Sequence, residues 1–256
     1  MAVIKCDFFS EVLSISTSMT VILPQPNLNQ GIRVKKYPTL YLLHGFSDDH
    51  TAWTRRTSIE RYVENLGIAV VMPQVDHSYY TDMEYGKKYW TFLSEELPQV
   101  AQSFFPLSDL REENYVAGLS MGGYGALKWA LRQPNRFAAA ASLSGALDIV
   151  KCLEKFPDDR KRGFYHIFGD KEIKGTENDL FWLIEQADTL DTKPLLYQCC
   201  GTEDFLYEDN LQFYEKVKKS SFDLTIEFSS GSHDWLYWDE KIQNVLKWLP
   251  IKQGEK

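Results

Sequence analysis

The chain has few cysteines and no excess of positive charge. Its four cysteines are Cys6, Cys152, Cys199 and Cys200. Their spacing does not match that of zinc ligands, so we expect neither a metal site nor a disulfide framework. The 36 acidic residues outnumber the 28 basic ones, which gives a net charge of −8. This balance argues against nucleic acid as a partner and against attraction to an anionic membrane.

Long hydrophobic runs are also missing from the sequence. No apolar stretch approaches the roughly 18 residues that a membrane-spanning helix needs, so we expect no insertion into a membrane. Residues 1–7 do not show the basic-then-apolar pattern of a secretion signal. Together these features predict a cytoplasmic protein.

The chain shows no sign of division into several domains. Repeats, low-complexity tracts and flexible Gly/Ser linkers do not occur, and 256 residues suit one large α/β domain. We therefore predict a single domain over 1–256. Residues 148–189 are rich in charge and less regular, and we expect a small insertion there, near the active site. The sequence leaves the oligomeric state open, and a homo-oligomer is compatible with it.

Strand-like segments alternate with helix-like segments along most of the chain. Two β-prone runs at 5–13 and 18–23 open it and indicate an antiparallel edge pair. Thr39–Leu43 is apolar almost throughout, which is typical of a strand buried on both faces of a parallel sheet. The alternation predicts an α/β fold, with a mainly parallel central sheet and helices on both faces.

The most informative segment is a Gly-x-Ser-x-Gly pentapeptide at 118–122, with Ser120 at its centre. A β-prone run precedes it and a helix-like run follows, which is the sequence form of a nucleophile elbow. Glycine is needed two positions on either side of the serine, because a side chain there would collide with neighbouring backbone. The pentapeptide arises by chance in roughly one chain in ten, so an ordinary turn is the alternative.

A serine hydroxyl needs a histidine to take its proton and an acid to orient that histidine. In α/β-hydrolases these residues follow one another in the order serine, acid, histidine. Only two of the five histidines, His166 and His233, follow Ser120. His166 lies within the charged segment, where a packed or surface residue is expected. His233 lies in a loop of small residues directly after a predicted strand, so we predict it as the general base.

The acid is expected in the loop after the preceding strand, where residues 201–205 read Gly-Thr-Glu-Asp-Phe. Glu203 and Asp204 both qualify, but adjacent side chains usually point to different sides, so only one should face the histidine. We favour Asp204, because a strand followed by Gly-x-x-Asp matches the acid loops of known hydrolases. Asp148 follows an earlier strand and is the alternative, since some hydrolases place the acid there.

Acyl transfer also requires backbone donors for the oxyanion. We predict the N–H of Met121, directly after the nucleophile, and the N–H of Phe46, after the strand that ends in His44 and Gly45. A simple strand-ending turn is the alternative for His44 and Gly45. At these two positions we expect backbone geometry to matter more than the side chains.

Together the motifs resemble the esterase D family of α/β-hydrolases. The resemblance runs from about residue 3 to residue 249 and rests on residues 42–45, 118–123, 201–207 and 231–235 and on Trp53. It is strongest to the bacterial tributyrin esterases. Related branches are the S-formylglutathione hydrolases, the feruloyl and acetylxylan esterases, and the mycolyltransferases.

The resemblance implies an α/β-hydrolase fold and a serine carboxylesterase that prefers short acyl chains. It assigns Ser120, Asp204 and His233 to the catalytic triad, and the mechanism of that triad requires no cofactor. Residues 148–189 match no motif of the family. The resemblance is therefore the weakest guide to how this segment contacts a substrate.

Aromatic residues close to the motifs are candidates for a pocket wall. We select Trp53, Tyr80 and Trp235 for substrate binding, and Trp235 has the strongest case because it lies two residues past His233. Core packing is the alternative for each of these residues.

The activity predicted from these residues is hydrolysis of a small-molecule ester, such as a tributyrin-like, acetyl or aryl ester, through an acyl-enzyme. Two alternatives would use the same triad: a thioesterase of the S-formylglutathione hydrolase type, and an acyltransferase that excludes water. A binding protein without catalysis on the same scaffold is a third alternative, because a fold does not fix a function. The presence of every catalytic part in the sequence argues against it.

Overall fold

The computed structural model describes residues 1–25, 36–155 and 158–252. Eight strands in these residues form one sheet. They are β1 (Ala2–Ser10), β2 (Ile15–Leu23), β3 (Thr39–Leu43), β4 (Ala69–Pro73), β5 (Asn114–Leu119), β6 (Ala139–Leu143), β7 (Leu195–Gly201) and β8 (Leu224–Ser229).

The strand order across the sheet is β1-β2-β4-β3-β5-β6-β7-β8. β2 is antiparallel to both of its neighbours, and all the remaining pairs are parallel. The predicted antiparallel edge pair and the mainly parallel sheet are therefore confirmed. β1 ends at Ser10 rather than at residue 13, because a turn with Ser14 at φ 52° follows and Leu13 packs into the core from that turn.

Helices cover both faces of the sheet. They are α1 (Ala52–Arg56), α2 (Ile59–Val63), α3 (Tyr89–Thr91), α4 (Leu97–Phe104), α5 (Met121–Arg132), α6 (Ile149–Lys155), α7 (Asp158–Phe168), α8 (Leu180–Asp188), α9 (Tyr207–Val217) and α10 (Trp235–Trp248), with a π-helical segment, Phe92–Glu96, between α3 and α4. Within the described residues, every helix is too short or too polar to cross a bilayer.

Two apolar clusters fill the space between the sheet and its helices. One contains Trp129 of α5, Leu183 of α8 and Phe213 of α9. The other contains Val63 of α2 and Ile242 and Val245 of α10, with Trp53. Strands packed on both faces explain why Thr39–Leu43 is buried at every position.

The segment 148–189, expected to be less regular, is largely helical where it is described. It contributes α6, α7 and α8, and α8 packs against α5 in the main core. Asp179 caps α8 by accepting a hydrogen bond from the N–H of Phe181 at 2.9 Å. That capping residue ahead of an apolar run was the available sequence signal for the helix.

Candidate active site

Ser120 occupies a strained turn between β5 and α5. Its backbone has φ 52° and ψ −116°, a conformation that costs a non-glycine residue about 1–3 kcal/mol. Neighbouring segments hold the turn in place, since the Ser120 N–H donates to the carbonyl of Leu143 at 2.9 Å and the Ser120 carbonyl accepts from the N–H of Ala146 at 3.1 Å. Hydrogen bonds at both its N–H and its carbonyl therefore hold Ser120 in the strained conformation.

Glycines beside Ser120 allow close packing of backbone against backbone. A Cβ on Gly118 would lie 2.4 Å from the carbonyl oxygen of Gly122, and a Cβ on Gly122 would lie 2.5 Å from that of Leu43. Both distances are far shorter than van der Waals contact, and the obstructing atoms are backbone. This agrees with the steric reason for glycine inferred from the sequence.

The structure brings Ser120, His233 and Asp204 together. The Ser120 Oγ lies 3.0 Å from the Nε2 of His233, and the Nδ1 of His233 lies 2.8 Å from the Oδ2 of Asp204. With Nδ1–H donating to the carboxylate, Nε2 is left to accept the serine proton. The other carboxylate oxygen of Asp204 accepts from the N–H of Leu206 at 2.8 Å, and the whole carboxylate is buried.

The alternative acids and the alternative histidine lie elsewhere. Asp148 caps α6, accepting from the N–H of Lys151 at 3.0 Å and pairing with the ammonium group of the same lysine. Glu203 is exposed and accepts from the N–H of Gly231 at 2.5 Å. His166 is exposed on α7. Of the candidates weighed from the sequence, Asp204 is the one bonded to the His233 imidazole.

The two expected oxyanion donors belong to backbone segments that lie next to the serine. Met121 opens α5, so its N–H has no partner within the helix. The loop that carries Phe46 passes close by, since a Cβ on Gly45 would lie 3.7 Å from the Cβ of Ser120. Neither the Phe46 N–H nor the Met121 N–H donates to another backbone group within the described residues.

The His44 side chain has a structural role that the sequence did not reveal. Its Nδ1–H donates to the carbonyl of Gly45 at 2.7 Å, and its Nε2 accepts from the N–H of Val75 at 3.2 Å. Complete burial lowers the pKa of His44 to about 4, so the imidazole is neutral and keeps both bonds. Because the Gly45 carbonyl and the Phe46 N–H share one peptide plane, the imidazole fixes the direction of that N–H.

A cavity of about 470 Å³ opens beside Ser120 and His233. Several aromatic residues line it, namely Phe46, Tyr79, Phe164, Phe205, Trp235 and Trp238. Asp48 and Arg56 also line the cavity. The cavity therefore offers both aromatic surface and charged side chains to a ligand.

Of the three predicted pocket residues, Trp235 lines this cavity and the other two do not. Trp53 is buried, donates from Nε1 to the Leu43 carbonyl at 3.1 Å, and packs edge-on against Trp235 at 5.2 Å. Tyr80 is also buried, and its hydroxyl donates to the His44 carbonyl at 2.8 Å. The structure thus places neither ring in the cavity lining, because both are buried and bonded to backbone carbonyls.

Four aromatic residues that line the cavity were not selected from the sequence, namely Tyr79, Phe164, Phe205 and Trp238. The Phe205 ring lies 4.5 Å from the His233 ring while remaining 60% exposed, and the Trp238 ring lies 4.9 Å from His233. Phe205 directly follows Asp204, and Trp238 lies one helical turn after Trp235, so the sequence offered a signal that both lie near the site. Phe164 lies on α7, in a segment without a motif, and no sequence signal pointed to it.

The fold and the serine turn define an α/β-hydrolase. Comparison with known sequences gives the family. The model of the Esterase family matches residues 10–249. An acetyl esterase of Caldicellulosiruptor saccharolyticus is 30% identical over 262 residues, which cover 97% of this chain and 98% of that protein. The chain therefore belongs to the Esterase family and is a carboxylic ester hydrolase, which confirms the resemblance inferred from the motifs.

Two solved structures from Staphylococcus aureus are similar to this chain over nearly its whole length. The fluorophosphonate-binding serine hydrolase FphF, with substrate bound, has a TM-score of 0.90 at 38% identity. The apoenzyme of the S-formylglutathione hydrolase FrmB has a TM-score of 0.87, also at 38% identity. In both comparisons 97% of this chain and 98% of the other are covered.

Proposed function

We propose that this protein is a serine esterase that hydrolyses short-chain acyl esters through an acyl-enzyme on Ser120. The observation that carries the proposal is the continuous chain of hydrogen bonds from the Ser120 hydroxyl through the His233 imidazole to the Asp204 carboxylate. This connectivity is the one that nucleophilic serine catalysis requires.

In the proposed reaction, the Nε2 of His233 takes the Ser120 proton as Oγ attacks the ester carbonyl. The imidazolium then protonates the leaving alcohol, and an ester between the acyl group and Ser120 remains. Water then attacks this ester while the same imidazole takes its proton, and the imidazolium passes that proton to the Ser120 Oγ as the carboxylic acid leaves. Asp204 stays ionised throughout and stabilises the imidazolium.

The N–H groups of Phe46 and Met121 are the proposed donors to the tetrahedral oxyanion. A donor of this kind is worth about 3 kcal/mol in the transition state, because it is already oriented when charge develops. Two features support the assignment: Met121 begins a helix, and the imidazole of His44 holds the Gly45–Phe46 peptide. Both donors are backbone groups, so their orientation depends on the surrounding loops.

The proposed substrate is a small ester with an acetyl to butyryl acyl group, including tributyrin-like and aryl esters. The cavity volume of about 470 Å³ suits a small ligand, and the aromatic wall suits apolar or aryl groups. The similarity to an acetyl esterase supports a short acyl chain.

A thioesterase of the S-formylglutathione hydrolase type is the second candidate, and a cationic residue of the cavity favours it. Arg56 lines the cavity and is exposed to solvent, so its guanidinium can pair with a carboxylate on the leaving group. The similarity to FrmB supports the same candidate. An acyltransferase would differ from both in passing the acyl group to an added alcohol faster than to water.

One substrate panel separates these candidates. kcat/KM is measured for p-nitrophenyl acetate, butyrate and octanoate, for tributyrin, feruloyl and acetyl-sugar esters, and for S-formylglutathione. We expect acetyl or butyryl esters to be the best substrates and octanoate to be poor. A much higher kcat/KM for S-formylglutathione, reduced selectively by Arg56→Gln, would assign the thioesterase instead.

The proposal includes a cytoplasmic location. All four cysteines are free, which suits a reducing compartment. Separation of cell fractions with an antibody to the chain tests this location, and recovery outside the cytoplasm would contradict it.

A further inference from the structure

Two loops that carry proposed catalytic residues are bonded to each other through residues outside the triad, of which Glu203 makes the most contacts. We define the acid loop as residues 201–206, with Asp204, and the histidine loop as residues 229–234, with His233. The Glu203 N–H donates to the Gly231 carbonyl at 3.1 Å. The Gly231 N–H donates back to the Glu203 carboxylate at 2.5 Å. Glu203 and Gly231 therefore form a reciprocal pair of hydrogen bonds between the loops.

The contact between the loops is tight and depends on an unusual backbone. Gly231 has φ 152°, a conformation that side chains rarely adopt. A Cβ on Gly201 would lie 2.0 Å from the Gly231 carbonyl oxygen, so the two backbones touch there. A displacement of the histidine loop therefore has to break the Glu203 bonds or move the acid loop with it.

The partners of the Glu203 carboxylate are neutral donors on the two loops. Besides the Gly231 N–H, it accepts from the Ser230 hydroxyl at 3.2 Å and from the Thr202 hydroxyl at 2.8 Å. The Gly231 N–H is the main cause that lowers the pKa of the Glu203 carboxyl below its ordinary value. The carboxylate is thus ionised at neutral pH and binds the loops through charge-assisted hydrogen bonds.

We propose that Glu203 is a positioning residue, which holds the histidine loop against the acid loop and so fixes the His233 imidazole between Asp204 and Ser120. Glu203 touches no reacting atom, and it acts through Gly231, two residues before His233. The inference rests on the proposed roles of Ser120, His233 and Asp204. Loss of the bonds to the Glu203 carboxylate leaves the triad residues present but less well oriented, which lowers the rate of proton transfer.

The test compares Glu203→Ala, Glu203→Gln and a matched control, Glu208→Ala. Glu208 is an exposed acid in the first turn of α9, so its removal changes the local charge without touching Gly231. For each variant, reactive sites are counted by titration with a fluorophosphonate, and kcat and KM are measured with p-nitrophenyl acetate. The measured rate is divided by the concentration of titrated sites, so that a loss of activity caused only by unfolded protein does not affect kcat.

We expect Glu203→Ala to lower kcat per titrated site about tenfold, with KM changed less than twofold, because chemistry and not binding is affected. Glu203→Gln should recover most of the rate, since an amide oxygen still accepts from the Gly231 N–H. Glu208→Ala should match the wild type. An unchanged kcat per site in Glu203→Ala, or an equal loss in Glu208→Ala, would overturn the proposal.

Two further measurements cover the remaining outcomes. If Glu203→Ala does not fold, kcat per titrated site is compared between Glu203→Asp and Glu203→Gln. We expect a low kcat for the shorter acid and a kcat near that of the wild type for the amide. The reverse order would contradict a hydrogen-bond role for Glu203. Normal turnover by Ser120→Ala would refute the proposed catalytic function itself. That result is independent of Glu203, so the two failures are distinguishable.

Discussion

The buried Asp204 carboxylate and the His233 imidazole are joined by a 2.8 Å hydrogen bond. The carboxylate is fully buried, whereas 18% of the imidazole is exposed to solvent. His233 lines the cavity and the Asp204 carboxylate lies behind it, which is the arrangement that stabilises an imidazolium during catalysis.

The first prediction separates Asp204 from the alternative acid, Asp148. Asp204→Asn should lower kcat by about 10⁴-fold, because the amide favours the wrong imidazole tautomer. Asp148→Ala should leave kcat within twofold, while the loss of a helix cap lowers the free energy of unfolding by about 1 kcal/mol. Steady-state kinetics and urea denaturation of both variants check this, and a large kcat loss in Asp148→Ala would contradict the assignment.

The second prediction concerns the strain at Ser120. Glycine adopts φ 52° more readily than alanine does, so Ser120→Gly should be more stable than Ser120→Ala by about 1 kcal/mol. Urea denaturation of the two inactive variants measures the difference. Equal stabilities would mean that the turn stores no strain at this residue.

The third prediction uses two glycines in different surroundings. Gly122→Ala places a Cβ against the backbone oxygens of Leu43 and His44, and should lower the free energy of unfolding by about 3 kcal/mol. Gly163 lies within α7 with no atom within 4 Å of an added Cβ. Gly163→Ala should therefore stabilise the protein by about 0.5–1 kcal/mol. Chemical denaturation gives both values, and similar changes in the two variants would be inconsistent with the packing described.

The fourth prediction is a pH dependence of stability from His44. Burial lowers its pKa to about 4 in the folded protein from an ordinary value of 6.5. Between these values the unfolded chain binds more protons, so stability falls as the pH is lowered from 7 to 4. The contribution is about 3 kcal/mol at most, since one pKa unit is worth 1.36 kcal/mol.

The variant His44→Asn isolates this contribution. Asparagine retains a donor for the Gly45 carbonyl but does not titrate in this range. The difference in free energy of unfolding between wild type and variant should therefore shrink as the pH falls from 7 to 4.5. A constant difference over that range would show that His44 does not titrate as described.

Much of the site geometry could be predicted because the key residues follow parallel strands. Ser120, Asp204 and His233 come after β5, β7 and β8, whose carboxyl ends meet at one edge of the sheet. Chain order and strand ends alone therefore bring these side chains near one another.

The pocket wall was less predictable because it depends on local backbone geometry. Tyr79 and Tyr80 are adjacent, with φ 46° and 51°, yet Tyr79 lines the cavity and Tyr80 is buried beneath it. A sequence pattern does not give the side-chain directions of two consecutive residues in the left-handed region. The burial of Trp53 was hard to predict for a related reason, since the Trp235 ring that packs against it lies far away in the sequence.

Covalent labelling shows whether Ser120 is the nucleophile. Wild-type protein and Ser120→Ala are treated with a fluorophosphonate, digested and analysed by mass spectrometry, and hydrolysis of p-nitrophenyl acetate is measured in parallel. We expect one phosphonylated peptide that contains Ser120, together with loss of both labelling and turnover in the folded Ser120→Ala variant. Labelling at another residue, or turnover by Ser120→Ala at the wild-type rate, would contradict a nucleophilic role for Ser120.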